Sequence, residues 1–157
     1  MTAIVTPVNV ATVTAALVAQ LANWPGVADL KARVESAEQL NETPGRCPWI
    51  GVYRDSVKFV VKTLGYGSGA RNQHISLVLA VQESDPVSGE KCEARLEALL
   101  QQVLGALLTD VTIGGTVQVI EELDVRYADY RKVAGGSFMQ TAAVYLTAVV
   151  PVQVTIQ

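Results

Sequence analysis

Residues 74–83 constrain the fold more than any other part of this chain. Ile75, Leu77, Leu79 and Val81 fall on one side of an extended strand, and Val78 and Ala80 fall on the other. A strand apolar on both faces belongs in the middle of a sheet. The next segment of the chain is helical. Cys92, Leu96, Leu99, Leu100, Val103 and Leu107 recur at the spacing of one helix face. Asp85-Pro86 reads as its start, with Asp as N-cap and Pro at the first helical position. Glu90, Glu93 and Glu97 lie near that start, where the helix dipole favours negative charge. A central strand feeding a long one-sided helix calls for a sheet with helices packed on it.

The remaining elements are read around that pair. Val10, Val13, Leu17 and Leu21 predict a helix over residues 9–23, ended by Trp24-Pro25-Gly26. Over residues 29–36, Leu30, Ala32 and Val34 alternate with Lys31, Arg33 and Glu35, which favours a strand. Val27, Leu30, Lys31 and Val34 also fit a helix face. Residues 49–54 and 57–64 read as a hairpin turning at Asp55-Ser56. Residues 65–73 are a glycine-rich loop, and residues 109–115 a turn. Two long strands come next, joined by an arm over residues 131–137. The first places Val117, Val119, Leu123, Val125 and Tyr127 on one face; the second does so with Ala142, Val144, Leu146, Ala148 and Val150. A single helix between two strands normally returns the chain parallel to the first, so the sheet is mixed. The expectation is an α+β fold: a mixed, mostly antiparallel β-sheet of about five to six strands packed against two helices. Length predicts one domain over residues 1–157. Residues 151–157 form a possible extended tail, which either continues the last strand or adds to a neighbour's sheet.

Composition narrows the chemistry. Half of the 157 residues are hydrophobic and only 17% are charged. That apolar surplus hints at subunit contacts, and it equally fits a chain rich in small Ala and Val. The formal net charge is −3, and no run of Lys or Arg exceeds a pair. Such a chain has no electrostatic footprint for gripping nucleic-acid phosphates. Cys47 and Cys92 match no metal spacing and read as reduced thiols. Residues 1–7 lack a basic segment, which argues against a secretory leader. No apolar run approaches the roughly 18 residues of a membrane helix, so no membrane partner is expected. His74 is the only histidine and has no partner pattern for acid–base work. Gly65-Tyr66-Gly67-Ser68-Gly69 precedes a strand, not the helix that a phosphate cradle requires. Glu121, Glu122, Asp124 and Asp129 are split by alternation between two faces. The residues therefore suggest no catalytic group, no metal site and no cofactor.

Four features in order carry a family resemblance. They are the helix ending at Trp24-Pro25-Gly26; Cys47-Pro48-Trp49-Ile50-Gly51-Val52-Tyr53; the strand 75–81 running into the helix 86–108; and Leu107-Leu108-Thr109-Asp110-Val111-Thr112-Ile113-Gly114-Gly115-Thr116 leading into two long strands. Taken together the chain resembles the tail terminators of long-tailed bacteriophages, from the first helix to about Val150. The resemblance implies a non-enzymatic virion protein. It implies a homo-oligomeric ring, typically a hexamer, that caps the tail tube, halts its polymerisation and offers a surface to the head connector. DNA would pass through the lumen without sequence-specific binding. Assembly would take place in the host cytoplasm, with the product in the tail–neck region of the virion. The same fold type also serves other neck and tail-completion connectors. A small ligand-binding α+β domain is the alternative of a different class.

A ring with head-to-tail contacts needs two different adhesive patches on each subunit. Aromatics with polar handles and exposed cations are the natural anchors. The candidates for subunit or tail-tube contact are Trp49, Tyr53, Arg54, Tyr66, Arg71, Arg131, Lys132, Val152, Val154 and Ile156. Trp49 fits the core equally well.

Overall fold

A computed structural model describes residues 3–37, 47–62, 70–128, 131–132 and 138–156. It has three helices and eight strands among those residues. The main sheet runs in the order β2 (Arg33–Ser36), β3 (Trp49–Lys62), β4 (Ala70–Asp85), β7 (Phe138–Pro151) and β5 (Val119–Tyr127). A short β6 (Arg131–Lys132) pairs with β7 beyond the end of β5. Only β2 and β3 pair parallel; the other contacts are antiparallel. The fold is the expected mixed α+β arrangement, with β4 at its centre.

Three helices cover one face. The helix α1 (Val10–Ala22) begins where Asn9 accepts from the Ala11 N–H at 2.9 Å. It buries Val13, Leu17 and Leu21. Trp24-Pro25 does more than end it. Proline also suits the first position of a new helix, and the chain restarts as α2 (Pro25–Asp29). The long α3 (Gly89–Thr109) buries the whole predicted stripe from Cys92 to Leu107. Against these helices the sheet presents Ile50 and Val52, Ile75 to Val81 at alternate positions, and Ala142, Val144, Leu146, Ala148 and Val150. One continuous core results, dominated by Leu, Val and Ile.

Several expectations need correction. Asp55-Ser56 is not a hairpin turn: β3 runs straight through it, with an irregularity between Arg54 and Ser56. A polar pair without glycine serves as a bulge, which absorbs one extra residue without reversing the strand. Strands β3 and β4 stay paired out to Lys62 and Ala70, so Ala70 to Gln73 belong to β4 rather than to a loop; residues 63–69 lie outside the described residues. The long helix starts at Gly89 with Ser88 as its N-cap, not with Asp85. The Asp85 carboxylate accepts from the Val87 and Ser88 N–H groups, both at 2.9 Å, and so closes a turn before the helix. Strand β5 has its own irregularity between Ile120 and Glu122, which moves Val119 off the face shared by Leu123, Val125 and Tyr127. Over residues 29–36, only Arg33–Ser36 are strand. The arm reduces to β6, and residues 133–137 lie outside the described residues.

The turn after α3 is built by one side chain. Asp110 accepts from the Thr112 N–H at 3.0 Å, the Thr112 hydroxyl at 2.6 Å and the Gly114 N–H at 3.0 Å. These bonds hold its carboxyl below the usual range, the Thr112 hydroxyl foremost. Gly114 and Gly115 come next at φ 64° and 79°, a region that glycine enters without strain.

Candidate interaction surface

The face of the sheet turned away from the helices holds the aromatic candidates. Trp49, Gly51 and Tyr53 alternate onto it from β3, facing Gln82, Ala80 and Val78 of β4 across the register. Trp49 is 1% exposed and Tyr53 4%. Their rings meet edge to face, with centroids 6.4 Å apart. Val78 and Ala80 complete this second cluster, and Ala37, Ala143 and Tyr145 pack against it. The Trp49 indole N–H donates to Glu35 Oε1 at 2.6 Å, and Arg33 stands 3.3 Å from the same oxygen. The two rings are thus packed inside the subunit.

The other candidates are spread across the molecule. Arg54 is exposed on β3, just past the cluster. Arg71 stands opposite Val61 in the β3–β4 register. Arg131 and Lys132 form β6, opposite Met139 and Phe138. Val152 is buried between β7 and β8 (Gln153–Ile156). Val154 and Ile156 are register partners of Val5 and Ala3, because β8 pairs with the chain's own β1 (Ala3–Thr6). The tail therefore closes on its own N-terminal strand. Tyr66 lies outside the described residues.

Sequence reasoning missed three contacts of the sheet, two on this face and one, Gln73, on the helix face that it shares with Ile75. Tyr145 lies under the Arg126 guanidinium, 4.4 Å from ring centroid to cation, and Arg126 also pairs with Asp124 at 3.0 Å. Gln73, 1% exposed, ties the N-terminal segment down: its amide donates to the Val8 carbonyl and its oxygen accepts from the Val8 N–H. The third is His74, whose Nδ1 lies 3.5 Å from Glu121 on the edge strand. The alternation of β7 was the one available signal for Tyr145.

A cavity of about 310 Å³ opens at the other end of β4. Leu30, Cys47, Pro48, Glu83, Ser84, Arg95 and Ala98 line it. Arg95 donates to the Ser84 carbonyl and pairs with Asp85 at 3.4 Å, so it is already engaged. Glu83 is 7% exposed and accepts from the Ser84 N–H at 3.2 Å. Burial pushes its carboxyl up, against that bond and the nearby Arg95 charge. The Cys47 and Cys92 thiols are both free and both pushed up by burial, so they sit further from the reactive thiolate than an open cysteine.

The sign of the Glu83 effect on stability is set by its direction. A carboxyl raised in the folded state adds stability that is complete below its unfolded value and is lost as pH rises through its folded value. Glu83→Gln keeps the shape and removes the charge. It is expected to match or exceed wild-type stability near pH 7, with any advantage fading below about pH 4, where the wild-type carboxyl is protonated anyway. Urea unfolding at both pH values checks this; a Gln variant weaker near pH 7 would contradict it.

Among the described residues there is no grouping of His, Cys, Asp and Glu fit to hold a metal ion. No helix among them is long and apolar enough to cross a membrane. Compared with known proteins, the chain matches no family model and no curated sequence.

Proposed function

We propose that this chain is a ring-forming structural protein of phage virions, a tail terminator that caps the tail tube, stops its growth and provides the seat for the head connector. The observation that carries this reading is the order of its elements. An N-terminal helix closes at Trp24-Pro25; a strand starts at Trp49; the central β4 runs into α3; and the Asp110 turn leads to two long strands. Each is a feature through which the sequence resembles that family. The sheet also leaves long strand edges for neighbours, and the working surface consists of packing groups and edge charges. The proposed partners are further copies of the chain, the tail tube protein and a head connector or neck protein. The test is an electron micrograph of particles assembled without this protein. Abnormally long tails detached from heads are expected. Normal tails on filled heads would refute the proposal.

One observation favours a different reading, a small-ligand-binding domain. The cavity beside Glu83 is at the lower end of the roughly 300–1,000 Å³ range of ligand sites. Amide chemical shifts of Ser84, Arg95 and Ala98 titrated with small ammonium compounds decide it. Saturable shifts abolished by Glu83→Gln would favour the ligand reading.

A further inference from the structure

The two outer edges of the main sheet carry opposite charge. Strand β2 pairs with β3 only from Trp49 to Val52, so among the described residues the outer edge of β3 is open from Arg54 to Lys62. That segment carries Arg54, Lys58 and Lys62 against Asp55. The opposite edge is β5, which among the described residues pairs only with β7. The Val111 carbonyl accepts from the Ile120 N–H at 2.7 Å and closes its first end. Beyond that, Glu121, Glu122 and Asp124 stand against Arg126. Arg131 and Lys132 of β6 lie at the far end of this edge, past the level of Trp49 and away from Arg54–Lys62.

Three features fit these edges to each other. Through the antiparallel chain of pairings β3–β4–β7–β5, the strands β3 and β5 run in opposite directions. A copy set beside the next in the same orientation therefore brings β5 antiparallel to its neighbour's β3. Like-edge pairs are disfavoured, because charges of one sign face each other, whereas unlike edges attract. Four of the seven large hydrophobics exposed in the described residues also lie on these two strands: Val57 and Phe59 on β3, Val119 and Tyr127 on β5. Exposed apolar groups beside an open edge are what strand pairing covers.

We infer that the subunits of the ring join by strand addition, the basic Arg54–Lys62 edge of one copy pairing antiparallel with the acidic Glu121–Tyr127 edge of the next. The inference rests on the ring reading and names the contact that makes it. Within one subunit, Tyr127 stands level with Ile50 and Glu122 with Ser56. Full overlap needs a slide of about four residues between copies, and closed sheets require a stagger of this kind. That slide brings Lys58 opposite Asp124, with Glu122 two places along on the same face. Because the two edges differ, each contact leaves one edge of either sign free. Growth stops only on closure, which gives a ring and not a dimer.

Charge reversal tests it. Arg54→Glu with Lys58→Glu turns the basic edge acidic; Glu121→Lys with Glu122→Lys turns the acidic edge basic. All four side chains are exposed, and circular dichroism checks that each variant is folded. By sedimentation, each variant alone should need about tenfold or more concentration to assemble, since like charges then face each other. The two variants mixed, or all four changes in one chain, should recover assembly. Hydrogen exchange of the wild type gives an independent reading, with amides of 54–62 and 121–127 protected on assembly. Wild-type rings that ignore both reversals, or protection confined to other segments, overturn this contact and leave the ring standing. A wild type that stays monomeric at every concentration and on tail-tube ends overturns both.

Discussion

Trp49→Ala is expected to lower the unfolding free energy by about 3–5 kcal/mol, the range for removing a large buried aromatic. The ring is 1% exposed, packs edge to face on Tyr53 and holds Glu35 through its indole N–H. Its loss leaves a void on the sheet face and strips a 2.6 Å bond from a carboxylate that keeps only Arg33. The neighbouring Gly51 offers a cleaner companion test. A Cβ at Gly51 would clash with the outer edge of the Trp49 ring. Gly51→Ala should therefore cost about 1–3 kcal/mol through overpacking. In a Trp49→Leu background most of that cost should disappear, because residues in direct contact couple. Chemical denaturation of the four proteins measures the coupling. Additive effects would mean that the ring is not what fills the space over Gly51.

Leu79→Ala is expected to cost about 2–5 kcal/mol. Leu79 is fully buried at the centre of β4, paired with Val52 on one side and Val144 on the other, beneath the helices. Val57→Ala, on the open stretch of β3, serves as the contrast. Val57 is 40% exposed in the single subunit, and its loss should change subunit stability by less than about 1 kcal/mol. Equal effects at the two positions would contradict the division between a sealed core and an open edge.

The core elements were legible in the sequence because local pattern and final packing agree there. The two-faced β4 sits between β3 and β7, and the stripe from Cys92 to Leu107 is buried on α3. What was not legible depends on distant pairing. Asp55-Ser56 looks the same in a turn and in a bulge; which one forms is settled by whether β3 finds more of β4 to pair with. Asp85 has the chemistry of an N-cap but spends it on the amides of Val87 and Ser88. Strand β1 carries little local signal, and its partner β8 lies at the opposite end of the chain. At the candidate surface, Trp49 could be read as anchor or core, and burial within the subunit places it in the core. The opposed charges of β3 and β5 were present in the sequence, yet they form two patches only once the topology puts those strands at opposite edges.

Native mass spectrometry of the purified wild-type chain tests self-association around an axis most directly. One closed stoichiometry should accumulate as concentration rises, with no open-ended series of larger species. A subunit that remains single throughout would contradict it.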